Sequence, residues 1–352
     1  MAGNKNTLVI LTPGFAESEA DSVCLPMQQQ LVKTLKENNP EISVKILSFQ
    51  YPYHTYNYSW FGIEVIPFSG RNKGGISRLL LRKKIISSLD NIHRTSAISG
   101  LLSFWYGECA AVGHQFAAKH GLQHFCWILG QDARKENDYP KKIKLPASTL
   151  VALSDFLQDE FEKNHGLRPG FVVPPGMQIK RLLKPGLKKD IDLLAVGSLI
   201  PLKQYEIFIE VVAETKKHYP AVKAALIGKG PEIQRLQSLT VQSGLENNIV
   251  FPGELSHDET LLWMQKAKIL LHPSSYEGFS GVCMEALSEA AHVISFCKAM
   301  REEIEHWHIV QSKEEMKQKA LEILQNPVIE YKRISNFKVE DTAKKIMELF
   351  SL

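Results

Sequence analysis

Glu277 and Glu285 bracket the segment Tyr276-Glu277-Gly278-Phe279-Ser280-Gly281-Val282-Cys283-Met284-Glu285-Ala286, in which an acid and small residues lead straight into a helix. An apolar run at 267–272, closed by Pro273, precedes it, so the segment reads as strand, loop and helix start. The backbone N–H groups of Gly278, Phe279, Ser280 and Gly281 would open that helix. A helix start gathers unpaired donors and the positive end of the macrodipole, and phosphate binds there without a dedicated cation. Glu285 falls on the first or second turn of the helix. Carboxylates on both sides of an anion site fit a ligand with phosphates in the middle and hydroxyls at both ends, the plan of a nucleotide sugar. Strand, glycine turn and helix recur throughout α/β proteins, and two glutamates at this spacing arise by chance, so the surroundings must carry the reading.

Those surroundings begin with size. A chain of 352 residues suits two domains of ordinary size, each able to bury its own core. With 44% hydrophobic and 23% charged residues it has the composition of a soluble globular protein. No apolar run approaches the roughly 20 residues that a membrane span needs. The opening run Leu8-Val9-Ile10-Leu11 is cut by Thr12-Pro13-Gly14, too short for a secretory signal and right for a first strand. These features predict a cytoplasmic protein. Five scattered cysteines (Cys24, Cys109, Cys126, Cys283, Cys297), with no C-x-x-C pair, predict reduced thiols and no structural zinc. A net charge of +4 is too small to indicate nucleic acid, and no aromatic-basic platform supports it. Locally the charge is denser. Arg71, Lys73, Arg78, Arg82, Lys83 and Lys84 surround Leu79, Leu80, Leu81, Ile85 and Ile86. As a helix this segment suits contact with an anionic membrane surface or a lipid-linked phosphate, and equally a solvated basic face packed on its own domain.

Short apolar strands alternate with helical segments along the first half, at 8–11, 43–49, 63–67, 97–104, 124–129 and 150–153. Such alternation gives a parallel sheet covered by helices. The stretch Phe171-Val172-Val173-Pro174-Pro175-Gly176 reads as a strand end and a stiff linker. The pattern then restarts, with strands at 191–196, 221–227, 248–251, 269–272 and 292–296 and helices at 205–219, 231–243, 256–266 and 281–290. This predicts a domain over 1–175 and another over 176–334, with an amphipathic helix within 335–352 packing back on the first. Ligands of such sheets bind beyond the carboxyl ends of the strands. The turns at 197–203, 228–231 and 277–281 lie at such ends and would line one edge of a crevice.

Four motifs across residues 195–286 resemble those of the retaining GT-B glycosyltransferases, the family-4-like group that includes sucrose-phosphate synthases and bacterial polysaccharide mannosyltransferases. Ala195-Val196-Gly197-Ser198-Leu199-Ile200-Pro201-Leu202-Lys203 is similar to that group's first donor-domain turn. Leu226-Ile227-Gly228-Lys229-Gly230-Pro231-Glu232 is similar to its glycine loop, and Val250-Phe251-Pro252-Gly253-Glu254-Leu255 to the strand and turn beside the nucleobase. His272-Pro273-Ser274, then Glu277-Gly278-Phe279 and Glu285-Ala286, resembles its glutamate motif. The resemblance implies a GT-B fold, two Rossmann-like doubly wound α/β domains facing a central cleft, with the acceptor on the N-terminal domain and the donor on the C-terminal one.

It also implies roles. Lys203 would neutralise the donor diphosphate, Gly228 and Gly230 would admit the nucleotide to the backbone, Glu277 would meet sugar hydroxyls at the reacting end, and Glu285 would hold the ribose. Gly14, in Thr12-Pro13-Gly14-Phe15, would face the donor from the first domain, Leu255 would lie near the base, and the amides of Gly278, Phe279, Ser280 and Gly281 would meet phosphate. Gly130-Gln131-Asp132 resembles a His-Gly-x-Asp motif with Leu129 at the histidine position, which puts Asp132 on the acceptor side. Ser198, on the donor-binding turn, stands where many members carry arginine, so diphosphate binding would rest more on Lys203 and the helix amides, or an arginine would come from elsewhere. Ala290 and His292 replace a common Gly and Pro. The implied activity is retaining hexosyl transfer from a UDP- or GDP-sugar to a glycan or lipid-linked hydroxyl, without metal or other cofactor, in surface or exopolysaccharide or glycolipid synthesis. Front-face attack, with the departing phosphate taking the acceptor proton, needs no protein nucleophile. A GT-B sugar-nucleotide 2-epimerase and a catalytically silent GT-B partner subunit remain as alternatives.

Overall fold

The computed structural model describes residues 6–178 and 186–351. The chain divides into two compact units, Met1–Gln178 with Phe337–Leu352, and Ile179–Asn336. In the first, the order is β1 (Thr7–Gly14), α1 (Pro26–Asn38), β2 (Ser43–Tyr51), β3 (Tyr58–Trp60), β4 (Ile63–Pro67), α2 (Gly75–Thr95), β5 (Ile98–Phe104), α3 (Glu108–His120), β6 (Gln123–Ile128), α4 (Tyr139–Ile143), β7 (Leu150–Ala152), α5 (Asp155–His165) and β8 (Phe171–Val172). In the second it is β9 (Ile191–Val196), α6 (Tyr205–His218), β10 (Ala224–Ile227), α7 (Ile233–Gln242), β11 (Ile249–Gly253), α8 (His257–Lys266), β12 (Ala267–His272), α9 (Gly281–Ser288), β13 (His292–Ser295), β14 (Trp307–Ile309) and α10 (Lys313–Gln325). The last helix, α11 (Val339–Leu349), returns to the first unit and packs on α1.

Central strands are apolar on both faces, as a sheet covered on both sides requires; residues 8–11 of β1 and 193–195 of β9 are fully buried. The first sheet runs β3-β4-β2-β1-β5-β6-β7-β8, parallel except for the β3–β4 pair. The second runs β11-β10-β9-β12-β13-β14 and is parallel throughout. Each sheet therefore has a point where successive connections leave in opposite directions: between β1 and β5 in the first unit, and between β9 and β12 in the second. Ligand crevices form at such points.

Helix α2 forms because Leu81, Ile85, Leu89 and Ile92 recur at helical spacing and bury one stripe against Val9, Leu47 and Phe116. Burying each such side chain contributes about 1.5–3 kcal/mol before entropy is counted. The helix continues upstream beyond this stripe, and residues 71–80 are exposed without a break. In the second unit Phe208 and Val212 of α6 and Met316 and Ala320 of α10 join the strand residues Leu193, Leu226 and Leu271 in one core. Pro174 and Gly176 lie inside the first unit: the Thr342 hydroxyl donates to the Pro174 carbonyl at 2.8 Å, and a Cβ on Gly176 would stand 2.3 Å from the Val339 Cα. No helix of the described residues is long and apolar enough to cross a membrane.

Candidate functional site

The strand order of the second unit places the loop after β9 beside the loop after β12. Lys203 ends a 3-10 turn, Pro201–Lys203, and Glu277 lies in the β12–α9 loop. The two loops are tied by backbone: the Ser275 N–H donates to the Leu202 carbonyl at 3.1 Å, and the Ser274 hydroxyl to the same oxygen at 3.4 Å. Lys203 Nζ and Glu277 Oε1 form an ion pair in which each side chain keeps under a fifth of its exposure. The structure thus joins two residues 74 positions apart in the chain.

His272, at the end of β12, completes the group. Its Nε2 is 3.1 Å from Glu277 Oε1 and 3.3 Å from the Ser280 hydroxyl, and its side chain is 2% exposed. Burial pushes the Glu277 carboxyl up, but the His272 hydrogen bond and the Lys203 charge outweigh it and hold the group at about 2. Burial is the largest influence on His272 and leaves it below the usual histidine range, so the imidazole is neutral. Tyr205 stands beneath, its hydroxyl buried and without a hydrogen-bond partner among the described residues, where a Cβ on Gly197 would lie 2.7 Å away.

The remaining turns interlock. Gly197 N–H donates to the Ile227 carbonyl at 3.0 Å, Leu199 N–H to Lys229 at 2.8 Å, and Gly228 N–H to Gly253 at 2.9 Å. A Cβ on Gly228 (φ 142°) would sit 1.9 Å from the Gly197 oxygen, and one on Gly230 (φ 158°) 2.3 Å from the Leu199 oxygen. These glycines are required by loop-on-loop packing before any ligand arrives. Ser198 is exposed on its turn, and Lys229 pairs with Glu254 beside the half-buried Leu255.

Helix α9 starts at Gly281, with Ser280 at its N-cap making no side-chain cap bond. Gly278, Phe279 and Ser280 are buried ahead of it. Glu285 lies on the second turn, and its Oε1 is 2.9 Å from Nε2 of His257, the first residue of α8. Sequence reasoning missed His272, His257 and Tyr205. His272 stood inside a motif already singled out, at the buried end of a strand, a place where an ionisable residue wants a partner. His257 carries no local signal, because only the fold brings α8 to α9.

In the first unit, Gly14 ends β1 at the point where connections diverge, and a cavity of about 710 Å³ opens there, lined by Pro13, Gln50, Trp105, Glu108, Asn137 and Tyr139 among others. Asp132 also borders it, but its carboxylate is turned inward: Oδ2 accepts the backbone N–H groups of Tyr106 at 2.8 Å and Leu129 at 2.9 Å. Burial outweighs these two bonds and lifts the acid to about 7. What the structure gives Asp132 is the joining of the loops after β5 and β6. Glu108, at the start of α3, accepts from Nε and Nη2 of Arg82 and from the Tyr139 hydroxyl, the last at 2.9 Å.

Residues 179–340 match the family model Glycosyl transferases group 1. The chain is 25% identical over 274 residues to an uncharacterized glycosyltransferase of Methanocaldococcus jannaschii, covering 76% of this chain and 73% of that one. It is 28% identical over 108 residues to a phosphatidylinositol N-acetylglucosaminyltransferase subunit of Schizosaccharomyces pombe, covering 31% of this chain and 24% of that one. The crystal structure of Anabaena HepE in complex with UDP and glucose aligns with a TM-score of 0.71 at 17% identity, covering 98% of this chain and 99% of that one. At that identity the likeness shows the fold, which is GT-B. The family model and these relatives are all named for glycosyl transfer, and they favour neither an epimerase nor a silent subunit.

Proposed function

We propose that the chain is a retaining hexosyltransferase that moves a sugar from a UDP- or GDP-sugar to a hydroxyl of a glycan or lipid-linked acceptor in surface-polysaccharide or glycolipid synthesis. The observation that carries this reading is the pairing of Lys203 with Glu277 beside the start of α9, at the crevice between β9 and β12. A nucleotide sugar separates them naturally. Its diphosphate takes the ammonium of Lys203 and the amides opening α9, and its sugar hydroxyls take the carboxylate of Glu277. Departure of the nucleoside diphosphate concentrates negative charge where the cation and helix amides already stand, and such preorganised stabilisation often contributes more to catalysis than any other effect. The departing phosphate oxygen takes the acceptor proton as the new glycosidic bond forms on the face the nucleotide leaves. Lysine and helix start supply the charge a divalent ion would otherwise bring, so the reading includes metal independence. Glu285, with His257, would hold the ribose, and the cavity at the β1–β5 point of the first unit would receive the acceptor.

We further infer a cytoplasmic enzyme that meets an anionic membrane through the region around α2. Ile76, Leu79 and Leu80 are more than half exposed there, among Arg71, Lys73, Arg78, Lys83 and Lys84, none of which has an ion-pair partner among the described residues.

The test is thermal stabilisation by UDP, GDP, ADP and CMP, followed by anomer-resolved NMR of the product made with the corresponding sugar nucleotide. One diphosphate should stabilise the protein by about 2.7 kcal/mol at a hundredfold excess over Kd, and the product should keep the donor's anomeric configuration in the presence of EDTA. Stabilisation by none of them would overturn the reading; inversion would overturn retention, and loss with EDTA restored by magnesium would overturn metal independence.

A further inference from the structure

We propose that His272 is the positioning residue for Glu277, the group that keeps its carboxylate aimed at the sugar once Lys203 has turned to the diphosphate. This role rests on the transfer reading above and adds a residue that reading does not use.

Glu277 Oε1 is shared between Lys203 Nζ and His272 Nε2, the latter at 3.1 Å. The two partners differ in how far they can move. Lys203 reaches the carboxylate on a flexible four-carbon stem from a 3-10 turn, whereas the His272 ring is enclosed at the end of β12 with 2% exposure. An incoming diphosphate competes for the lysine. A carboxylate with 17% of its side chain exposed, deprived of its cation, must keep another donor or move toward water. The histidine is the donor that stays.

Its protonation suits the task. A neutral imidazole carries one N–H, and Nε2 is the nitrogen that faces both Glu277 and Ser280. With the proton on Nε2 the ring donates to Glu277. With it on Nδ1, a lone pair would confront a carboxylate oxygen at 3.1 Å. Burial keeps His272 from competing as a second cation for the diphosphate. The other titratable groups around Glu277 come from three further elements: Tyr205 on α6, Cys283 on α9, and Cys297 beyond β13. All three are held neutral, with Tyr205 and Cys283 pushed up and Cys297 raised to about 11, burial being the largest cause in each. The charge balance is therefore set by Lys203 and Glu277 alone, and the orientation by His272.

The experiment compares wild type, His272→Ala and His272→Gln by calorimetric titration with the stabilising nucleoside diphosphate and with its sugar conjugate, and by kcat across pH. A bare diphosphate lacks the sugar that Glu277 would meet. His272→Ala should therefore lose at most about fivefold in affinity for it, the cost of drawing Lys203 from a carboxylate with no other donor, yet lose about 10- to 100-fold in kcat with the sugar nucleotide, the range for removing a hydrogen bond to a buried charge. The acidic limb of its kcat profile should move to higher pH, because Glu277 has lost a bond that lowers its pKa. A glutamine side-chain amide can donate in place of the ring, so His272→Gln should recover most of the rate, and it also tests the idea if the alanine variant does not fold. Turnover of His272→Ala within about twofold of wild type, equal loss of diphosphate and sugar-nucleotide binding in a folded variant, or a His272→Gln enzyme no better than His272→Ala would overturn the proposal. Wild type that binds no nucleoside diphosphate would instead overturn the transfer reading.

Discussion

Two single substitutions at the Lys203–Glu277 pair should shift diphosphate affinity in opposite directions. Each side chain of the pair retains under a fifth of its exposure, so the charges are substantially desolvated and each compensates the other. Lys203→Ala removes the cation the diphosphate would take. A charge-assisted contact is worth about 1.5–3 kcal/mol, so affinity for the bare nucleoside diphosphate should fall about 10- to 100-fold. The same change leaves Glu277 with only His272 as donor. Deleting one partner of a fully buried pair costs about 3–5 kcal/mol, and the residual exposure together with the His272 bond reduces this to about 2 kcal/mol of folding stability. Glu277→Gln acts the other way. Lys203 no longer has to leave an anion to meet the phosphate, so the bare diphosphate should bind up to about fivefold tighter, corresponding to about 1 kcal/mol recovered from a partly exposed pair.

Isothermal titration of both variants with the stabilising diphosphate reads these numbers directly, and a transfer assay separates binding from turnover. Glu277→Gln should bind the diphosphate well and turn over poorly, since its loss is felt only where sugar hydroxyls are held. If both substitutions weaken the bare diphosphate to the same extent, Lys203 does not exchange Glu277 for phosphate, and the pair is a structural tie between two loops.

Gly228→Ala should destabilise the second unit by about 3 kcal/mol or more, because its Cβ would lie 1.9 Å from the Gly197 oxygen at a φ of 142°; a melting temperature within about a degree of wild type would show that the interlocked turns relax freely. In acid, His292 and His308 should weaken the fold. Burial is the largest cause holding both at about 4, below the ordinary 6.5, so their contribution is complete above pH 6.5 and lost as pH falls from 6.5 toward 4. For the buried His292 this amounts to about 3 kcal/mol at most, and His292→Asn should flatten the decline of melting temperature over that window. Vesicles containing phosphatidylserine should sediment the protein and phosphatidylcholine vesicles should not; replacing Leu79 and Leu80 by serine, or Arg78 and Lys83 by glutamate, should abolish this at about 1 kcal/mol per basic residue. Equal sedimentation of the charge-reversed variant would refute the α2 contact.

Most strands were legible because central parallel strands are continuous apolar runs: β4 and β9 have the bounds the sequence implies, and the others differ by a few residues at their ends. The short antiparallel β3 was not, since Tyr58-Ser59-Trp60 sits in a run of aromatics with no period, and only its pairing with β4 makes it a strand. Nor were β14 and α10, which follow a stretch of charges, although Ser312 accepting from the Glu315 N–H is a readable helix start. Within the candidate site, local chemistry could be read and long-range partnership could not. Gly278 to Glu285 announces a helix start with an acid on either side. Nothing near Lys203 announces Glu277, because their contact is made by strand order, and nothing in Glu285 announces His257.

Strand order is also why each unit gathers its chemistry at one place. A doubly wound sheet leaves one gap between adjacent parallel strands where the following loops part instead of crossing. In the second unit that gap lies between β9 and β12, and the residues that follow those strands are Lys203 and Glu277. In the first it lies between β1 and β5, and there stand Pro13, Trp105 and Glu108 around the cavity. Trp105 holds a φ of 69°, a backbone conformation uncommon for a bulky residue, which the flanking strand and helix must enforce. One gap thus holds a single ion pair beside a helix start, and the other a cavity walled by aromatic, amide and charged side chains, among them Trp105, Tyr139, Gln50, Asn137, Glu108 and Arg134. In the proposed transfer the first gap would take the phosphate-bearing donor and the second the acceptor hydroxyl.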